Sequence, residues 1–223
     1  DDSCGVVRAF KQKARFPVTL LKEPRTGLSF CRNTGIQQAR SATIIFTDDD
    51  CYLAPDYLRA ARRTFEDEAV SFATGRVLLH DKADSPIMIC TDKTFRPIDS
   101  KSLAGIPKII GANLIIRKAV FEKTGLFDPD FGSGSPFAGD DIELICRALA
   151  KGFTGVYDPA LKVFHHHGRQ EKAAVEQQEL YYAKGVGALF CKRILHQDAS
   201  ALNALLLATS RAHTFRLWAA DQD

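Results

Sequence analysis

The chain has 223 residues, 45% of them apolar and 26% charged, which excludes a disordered, collagen-like or coiled-coil polypeptide. That length sustains one large domain or two small ones around a real core. Thirty Lys and Arg against 27 Asp and Glu leave a net charge of +3, too mild to argue for nucleic acid. The six Cys are scattered without a CxxC pair, so they read as free thiols of a reducing compartment. No secretory signal opens the chain, and no apolar run approaches the ~20 residues of a membrane span.

In chain order, Val18 to Lys22 is a strand candidate ended by Glu23-Pro24, and Gly27 to Arg40 is helical with Ser29 as N-cap. Thr43 to Thr47 (TIIFT) has the signature of a buried strand, β-branched and aromatic without alternation. Pro55 opens a helix through Glu68. Ala69 to Leu79 is a strand region broken by Gly75, and Asp81 to Pro107 a long Pro-punctuated loop. Lys108 to Arg117 is a strand, followed by a short helix from Lys118 to Thr124 that Gly125 stops. The Gly- and Ser-rich run 132–139 precedes a helix from Asp140 to Lys151. Val156-Tyr157 and Leu161 to Phe164 are short strands, and 171–195 and 199–218 are helical. Alternating β and α elements followed by a helical tail predict an α/β fold with a mixed sheet.

Four constellations can carry chemistry. Asp48-Asp49-Asp50 ends the TIIFT strand. Side chains on a strand alternate, so Asp48 and Asp50 point one way and Asp49 the other. Paired carboxylates at the carboxyl end of a strand in an open α/β sheet suit a hard divalent cation that also takes phosphate. The plain alternative is a solvated acidic turn. Asp140-Asp141 opens a helix behind the Gly-rich run, where a carboxylate is either a dipole-favoured cap or a general base beside a loop able to close. His165-His166-His167 follows a strand, and alternation sends His165 and His167 to one face, where one could join Asp50 on a metal. Surface or packing roles suit the rest. Arg32, with Asn33, offers a guanidinium fork for a diphosphate or is simply a surface residue. No Ser-His-Asp signature and no GxxxxGK[ST] loop occurs.

The order of these pieces resembles the family 2 glycosyltransferases of the GT-A fold. Two runs, Gly27 to Leu58 and Gly111 to Arg169, carry the resemblance. The matching motifs are Arg32-Asn33, the DxD-like Asp48 to Asp50, Asn113 with Arg117, the Gly125 to Asp128 turn, Asp140-Asp141 and the His run. The opening Asp1-Asp2-Ser3 resembles the family's Asp-Asp-x-Ser segment at the end of its second strand. The resemblance implies a mostly parallel mixed sheet flanked by helices, with a catalytic domain over 1–169 and a helical extension over 170–223. It implies Asp48 and Asp50 as the pair that holds Mn²⁺ or Mg²⁺ and the donor diphosphate or ribose, with Asp50 the nearer metal ligand and His165 or His167 an extra one. Asp49 belongs to the same donor-binding motif. Asp1 or Asp2 would meet the nucleobase and Arg32 the nucleotide. Asp141, or its neighbour Asp140 standing where the family has Glu, would be the base of an inverting displacement.

The partners so implied are a nucleotide-diphosphate sugar and a glycan or lipid-linked acceptor. The location implied is cytoplasmic, either free or peripheral at the inner face of the membrane. The tail resembles a Tyr-Gly-x-Gly-Ala stretch at Tyr181 to Ala188, and its Lys/Arg-flanked apolar helices either contact a membrane surface or, as amphipathic helices usually do, pack on the domain. The family normally places a strand, a helix and most of another strand ahead of Asp-Asp-x-Ser. A chain without them is expected to bind nucleotide weakly and expose an apolar sheet edge. The rival reading is a non-catalytic sugar-nucleotide or glycan-binding module on the same fold. A nucleotidyltransferase would need a basic Gly-rich loop near the N-terminus, and none occurs.

Overall fold

The computed structural model describes residues 2–104, 108–196, 198 and 201. Twelve elements follow one another. They are α1 (Ser3–Lys13), α2 (Leu28–Gln38), β1 (Thr43–Phe46), β2 (Cys51–Leu53), α3 (Tyr57–Thr64), β3 (Val70–Leu79), β4 (Arg96–Ile98), β5 (Leu114–Arg117), α4 (Lys118–Thr124), α5 (Asp140–Ala150), β6 (Thr154–His165) and α6 (Lys172–Leu195). The six strands form one sheet in the order β1-β5-β3-β6-β2, with β4 also paired to β6.

The expected mixed sheet is present, but its described pairings are antiparallel except that of β3 with β6. The expectation of a mostly parallel sheet is corrected on that point. β5 is entered through a tight turn and so runs back between β1 and β3. β1 pairs only with β5 and makes no other ladder among the described residues. Its four residues are therefore half-buried, not the buried central strand that TIIFT suggests. Residues 17–24 also join no described ladder, so the Val18 to Lys22 strand does not form.

Alternation along the central strands divides the core into two faces. Phe72, Leu114 and Ile116 face one side with Phe121, Phe127, Leu144, Leu149 and Leu189, so α4, α5 and α6 cover it. Ala73 and Ile115 face the other side with Tyr57, Ala60, Ala61, Leu161 and Val163, beneath α3. The two short strands expected near 156 and 161 are one continuous β6. β6 carries the extra residues 158–161 opposite Gly75 of β3, and the register shifts there. Only glycine fits there, since a Cβ would lie 2.3 Å from the Leu161 carbonyl oxygen. Gly75 thus makes room for the bulge in β6, and β3 runs through unbroken. The 81–107 loop holds more structure than expected, with β4 and a 3₁₀ turn over Ser100–Ala104. The strand expected from Lys108 starts only at Leu114, because Gly111–Asn113 forms a 3₁₀ turn.

That turn places Asn113 at full burial between the two faces. Its Oδ1 accepts from Tyr57 Oη at 2.6 Å, and its Nδ2 donates to the Arg76 and Leu161 carbonyls, both at 2.9 Å. The Asn113 carbonyl accepts from Thr74 Oγ1. Arg117 likewise serves the backbone, donating to the Phe65, Asp67 and Val70 carbonyls. Both residues of the Asn-x-x-x-Arg pattern therefore build the fold. Asn113→Ala leaves three buried polar partners unmatched and is expected to cost about 3 kcal/mol. Urea unfolding measures it, and a loss below about 1 kcal/mol would contradict the clamp.

Candidate active site

The site gathers where β1 leaves the sheet. β1 ends at Phe46, so the triple Asp lies in a turn, not on the strand. The Cys51 N–H donates to the Asp48 carbonyl and closes that turn. Asp48 and Asp50 nevertheless face inward and Asp49 stays exposed, the division that alternation predicts. β2 then pairs antiparallel with β6, with Cys51 opposite His165. Carboxylate oxygens of Asp48 and Asp50, the Cys51 Sγ and a ring nitrogen of His165 all lie within 4.8 Å of one another. His165 is 2% exposed. Its Nε2 is 3.2 Å from Asp50 Oδ2, while its Nδ1 is buried with no hydrogen-bond partner. Oxygen and imidazole donors, with one buried nitrogen unspent, fit a divalent cation.

His167 is not brought into this group. β6 ends at His165, so alternation stops there. The His167 Nε2 contacts the Ser85 carbonyl at 3.0 Å and its Nδ1 accepts from the Arg169 N–H. Burial holds its pKa below the usual imidazole value. Asp84 pins the same loop, accepting from the Gly168 N–H and Gln170 Nε2.

The second acidic motif enters from α5. Buried Glu143 holds this helix in place, paired with Arg147 and with Lys192 of α6. Arg147 also donates to the Thr124 and Leu126 carbonyls. Asp140 and Asp141 then stand in the first turn, behind Gly139 in the left-handed region. Asp140 is buried and Asp141 half-buried.

Arg32 of α2 joins the two motifs. Its Nη1 donates to Asp140 Oδ2 at 2.5 Å, and its Nη2 lies 3.4 Å from Asp48 Oδ1. The side chain is only 8% exposed, so it is not the surface residue that one reading allowed. Burial alone would lower the guanidinium pKa, but Asp140, Asp141 and Asp48 outweigh it and hold the charge firmly. Gly111 makes this approach possible, because a Cβ there would sit 2.7 Å from Arg32 Nη2 and 3.2 Å from Asp141 Oδ2. Burial raises the Asp48 carboxyl, with Arg32 opposing. Burial, then the neighbouring Asp140, pushes the Asp141 carboxyl up to about 7. Its surface is still part-accessible, so crowding by protein atoms, not complete exclusion of water, sets that shift.

Other sequence-predicted residues have structural duties. Asp2 is the N-cap of α1, its Oδ1 accepting from the Gly5 N–H, so Asp2-Ser3 here opens a helix. Asp1 and the 199–218 helix lie outside the described residues, apart from residue 201. Ser29 does not cap α2. Gly27 does, and the buried Ser29 hydroxyl donates to the Phe131 carbonyl. Asn33 grips both backbone groups of Phe127. The 132–139 run is tethered, since the Tyr181 hydroxyl of α6 shares its one proton between the Gly132 carbonyl at 2.6 Å and the Ser135 carbonyl at 3.1 Å, and the Leu28 N–H donates to the Ser133 carbonyl. α6 packs against this run so closely that a Cβ on Gly185 would meet the Ala138 carbonyl at 2.3 Å. Sequence reasoning missed Cys51, Gly111 and the Tyr181 tether. Cys51 carried a signal in its adjacency to the triple Asp, and Tyr181 in the Tyr181 to Ala188 stretch.

The family model described as glycosyltransferase like family 2 matches residues 1–180. The chain belongs to that family. Solved structures with the same fold include Staphylococcus aureus TarS residues 1–349, at TM-score 0.63 and 14% identity, covering 96% of this chain and 60% of TarS 1–349. The mannosyltransferase PcManGT of Pyrobaculum calidifontis, solved with GDP-Man and Mn²⁺, has TM-score 0.62 at 17% identity over 95% of this chain and 63% of its own. GalNAc-T7, solved with UDP, GalNAc and Mn²⁺, has TM-score 0.53 at 18% identity over 75% and 36%. This chain thus spans under two thirds of the length of each. No curated protein sequence matches it. The family and these neighbours bear out the GT-A-like fold with flanking helices and a C-terminal helix.

Arg32→Met strips the counter-charge from buried Asp140 and is expected to cost about 3–5 kcal/mol at neutral pH. The loss shrinks in acid, where the carboxylates carry no charge for Arg32 to meet. Denaturant unfolding at two pH values checks this, and a pH-independent loss would contradict it.

Proposed function

We propose that this chain is the donor-binding and catalytic portion of a metal-dependent, inverting glycosyltransferase. The donor is a nucleotide-diphosphate sugar and the acceptor a hydroxyl of a glycan or lipid-linked molecule. One observation carries the reading: Arg32 fastens a carboxylate of the 48–50 turn to a carboxylate at the start of α5. The acidic turn proposed for the cation and diphosphate and the proposed base Asp141 therefore stand around one guanidinium.

Asp48, Asp50 and His165 are the residues that would hold Mn²⁺ or Mg²⁺, which when bound supplies counter-charge to the departing diphosphate. Asp49, exposed at the turn, is free to meet the ribose. Asp141 takes the acceptor's proton. As it does so, the hydroxyl oxygen forms its bond to the anomeric carbon, and the opposite carbon–oxygen bond breaks with its electron pair leaving on the diphosphate. Configuration inverts because entry and departure are on opposite faces, and no covalent nucleophile is required. A carboxyl near 7 suits this work, since it holds a proton tightly yet is available as a base at neutral pH. Arg32 is a positioning residue. Its guanidinium is spent on Asp140 and Asp48, so it orients the carboxylates and leaves nucleotide contact to others.

Nucleotide release from a panel of sugar nucleotides with Mn²⁺ tests the reading. Because the raised carboxyl must lose its proton to act, the rate should climb with pH through about 7 and level above it. Asp141→Asn should lower it by about 10²–10⁴-fold and remove that limb. Turnover that survives Asp141→Asn combined with Asp50→Asn would overturn the site. Metal-dependent nucleotide binding without any turnover would favour the non-catalytic module.

A further inference from the structure

Cys51 has no part in the chemistry above, yet its sulfur lies among the groups proposed to hold the cation. It opens β2 directly opposite His165 on β6, and residues so paired put their Cβ atoms about 4.5–5.5 Å apart on one face. The Cys51 Sγ is 3.5 Å from Asp50 Oδ1, and the four donor atoms of Asp48, Asp50, Cys51 and His165 fall within 4.8 Å of one another. The state of His165 within that group is a further observation. This side chain is almost wholly buried, keeps an unpartnered Nδ1, and turns its other ring nitrogen to Asp50. A cysteine in such a position is commonly a small apolar filler, and Cys51 does pack beside Val77, Ile110 and Ala112. A filler, however, has no need to face two carboxylates and an imidazole.

We propose that Cys51 is a thiolate ligand of this centre, so that the site takes borderline and soft cations of the zinc and cadmium class more tightly than Mn²⁺ or Mg²⁺. The inference rests on the reading that Asp48, Asp50 and His165 hold a divalent cation. Two carboxylate oxygens alone select hard ions. Adding one sulfur and one imidazole nitrogen gives the mixed four-donor set that suits tetrahedral Zn²⁺. Burial, then the Asp48 and Asp50 carboxylates, push the Cys51 thiol up to about 12, so it is a thiol until the arriving cation displaces its proton to solvent and the metal–sulfur bond forms. The consequence is a competition. Zn²⁺ or Cd²⁺ displaces the hard ion and occupies a place where the donor diphosphate needs open coordination.

The test is titration of the full chain with Cd²⁺ under a non-thiol reductant. The ultraviolet cadmium–thiolate charge-transfer band is recorded, while electron paramagnetic resonance of free Mn²⁺ reports displacement from the same site. The expected result is one band saturating at one Cd²⁺ per chain as Mn²⁺ is released. Cys51→Ser and Cys51→Ala, with unchanged circular dichroism, should lose the band and weaken Cd²⁺ by about tenfold or more while Mn²⁺ affinity changes little. Cd²⁺ that displaces Mn²⁺ without a thiolate band overturns the inference and leaves the Mn²⁺ site intact. A band that persists in Cys51→Ser also overturns it, because another cysteine is then the ligand. A Cys51-dependent band in a chain that binds no Mn²⁺ supports the thiolate ligand and defeats the hard-cation reading instead.

Discussion

The buried guanidinium of Arg32 is the interaction on which the site depends. Its neighbours are Asp140, Asp141 and Asp48, three carboxylates from two distant parts of the chain. Without it, at least two of these charges would sit partly desolvated and mutually repulsive, a state that folds only if protons neutralise them. With it, each motif stabilises the placement of the other. Isolated buried ion pairs contribute little net stability, so the value of this one is better sought in position than in energy.

The scaffold spends much of its ordering to bring that side chain in. α2 is fixed by Ser29 and Asn33, both bonded to backbone of the 127–131 segment. α5 is fixed by Glu143, held between Arg147 and Lys192. Gly111 leaves the gap through which the guanidinium passes to Asp141. Three elements distant in sequence thus converge on one cation. α6 then seals the Gly-rich run through Tyr181 and Gly185, which makes the helical tail part of the wall around the site. Among the described residues no helix is long and apolar enough to cross a membrane.

Much of this was legible in the sequence because local chemistry announces itself. The helix opened by Asp140 and the β/α alternation follow from capping and periodicity, whereas Asp48 and Asp50 share a side as strand alternation predicts although they lie in a turn past the end of β1. The less legible features are long-range ones. TIIFT reads as a buried strand, yet it lies half-buried with one described partner, because apolar composition does not state how many neighbours a strand has. The direction of β5 and the β6 bulge opposite Gly75 depend on register with distant strands. His165 and His167 share a parity, but β6 stops between them and their roles separate. Arg32 looks from sequence like a diphosphate fork, and only the tertiary arrangement turns it toward carboxylates. Cys51 was passed over because a single thiol beside an acidic run says nothing until His165 is placed across from it.

The central claim is that the two acidic motifs are one electrostatic unit joined by Arg32. A double-mutant cycle between Asp48→Asn and Asp140→Asn, read by denaturant unfolding in the wild-type and Arg32→Met backgrounds, tests it most directly. The account predicts that the double variant loses more stability than the sum of the singles by more than about 0.5 kcal/mol, since only then is Arg32 left largely unmatched, and that this excess shrinks in the Arg32→Met background. Additivity in the wild-type background, or an excess unaffected by removing Arg32, would contradict it.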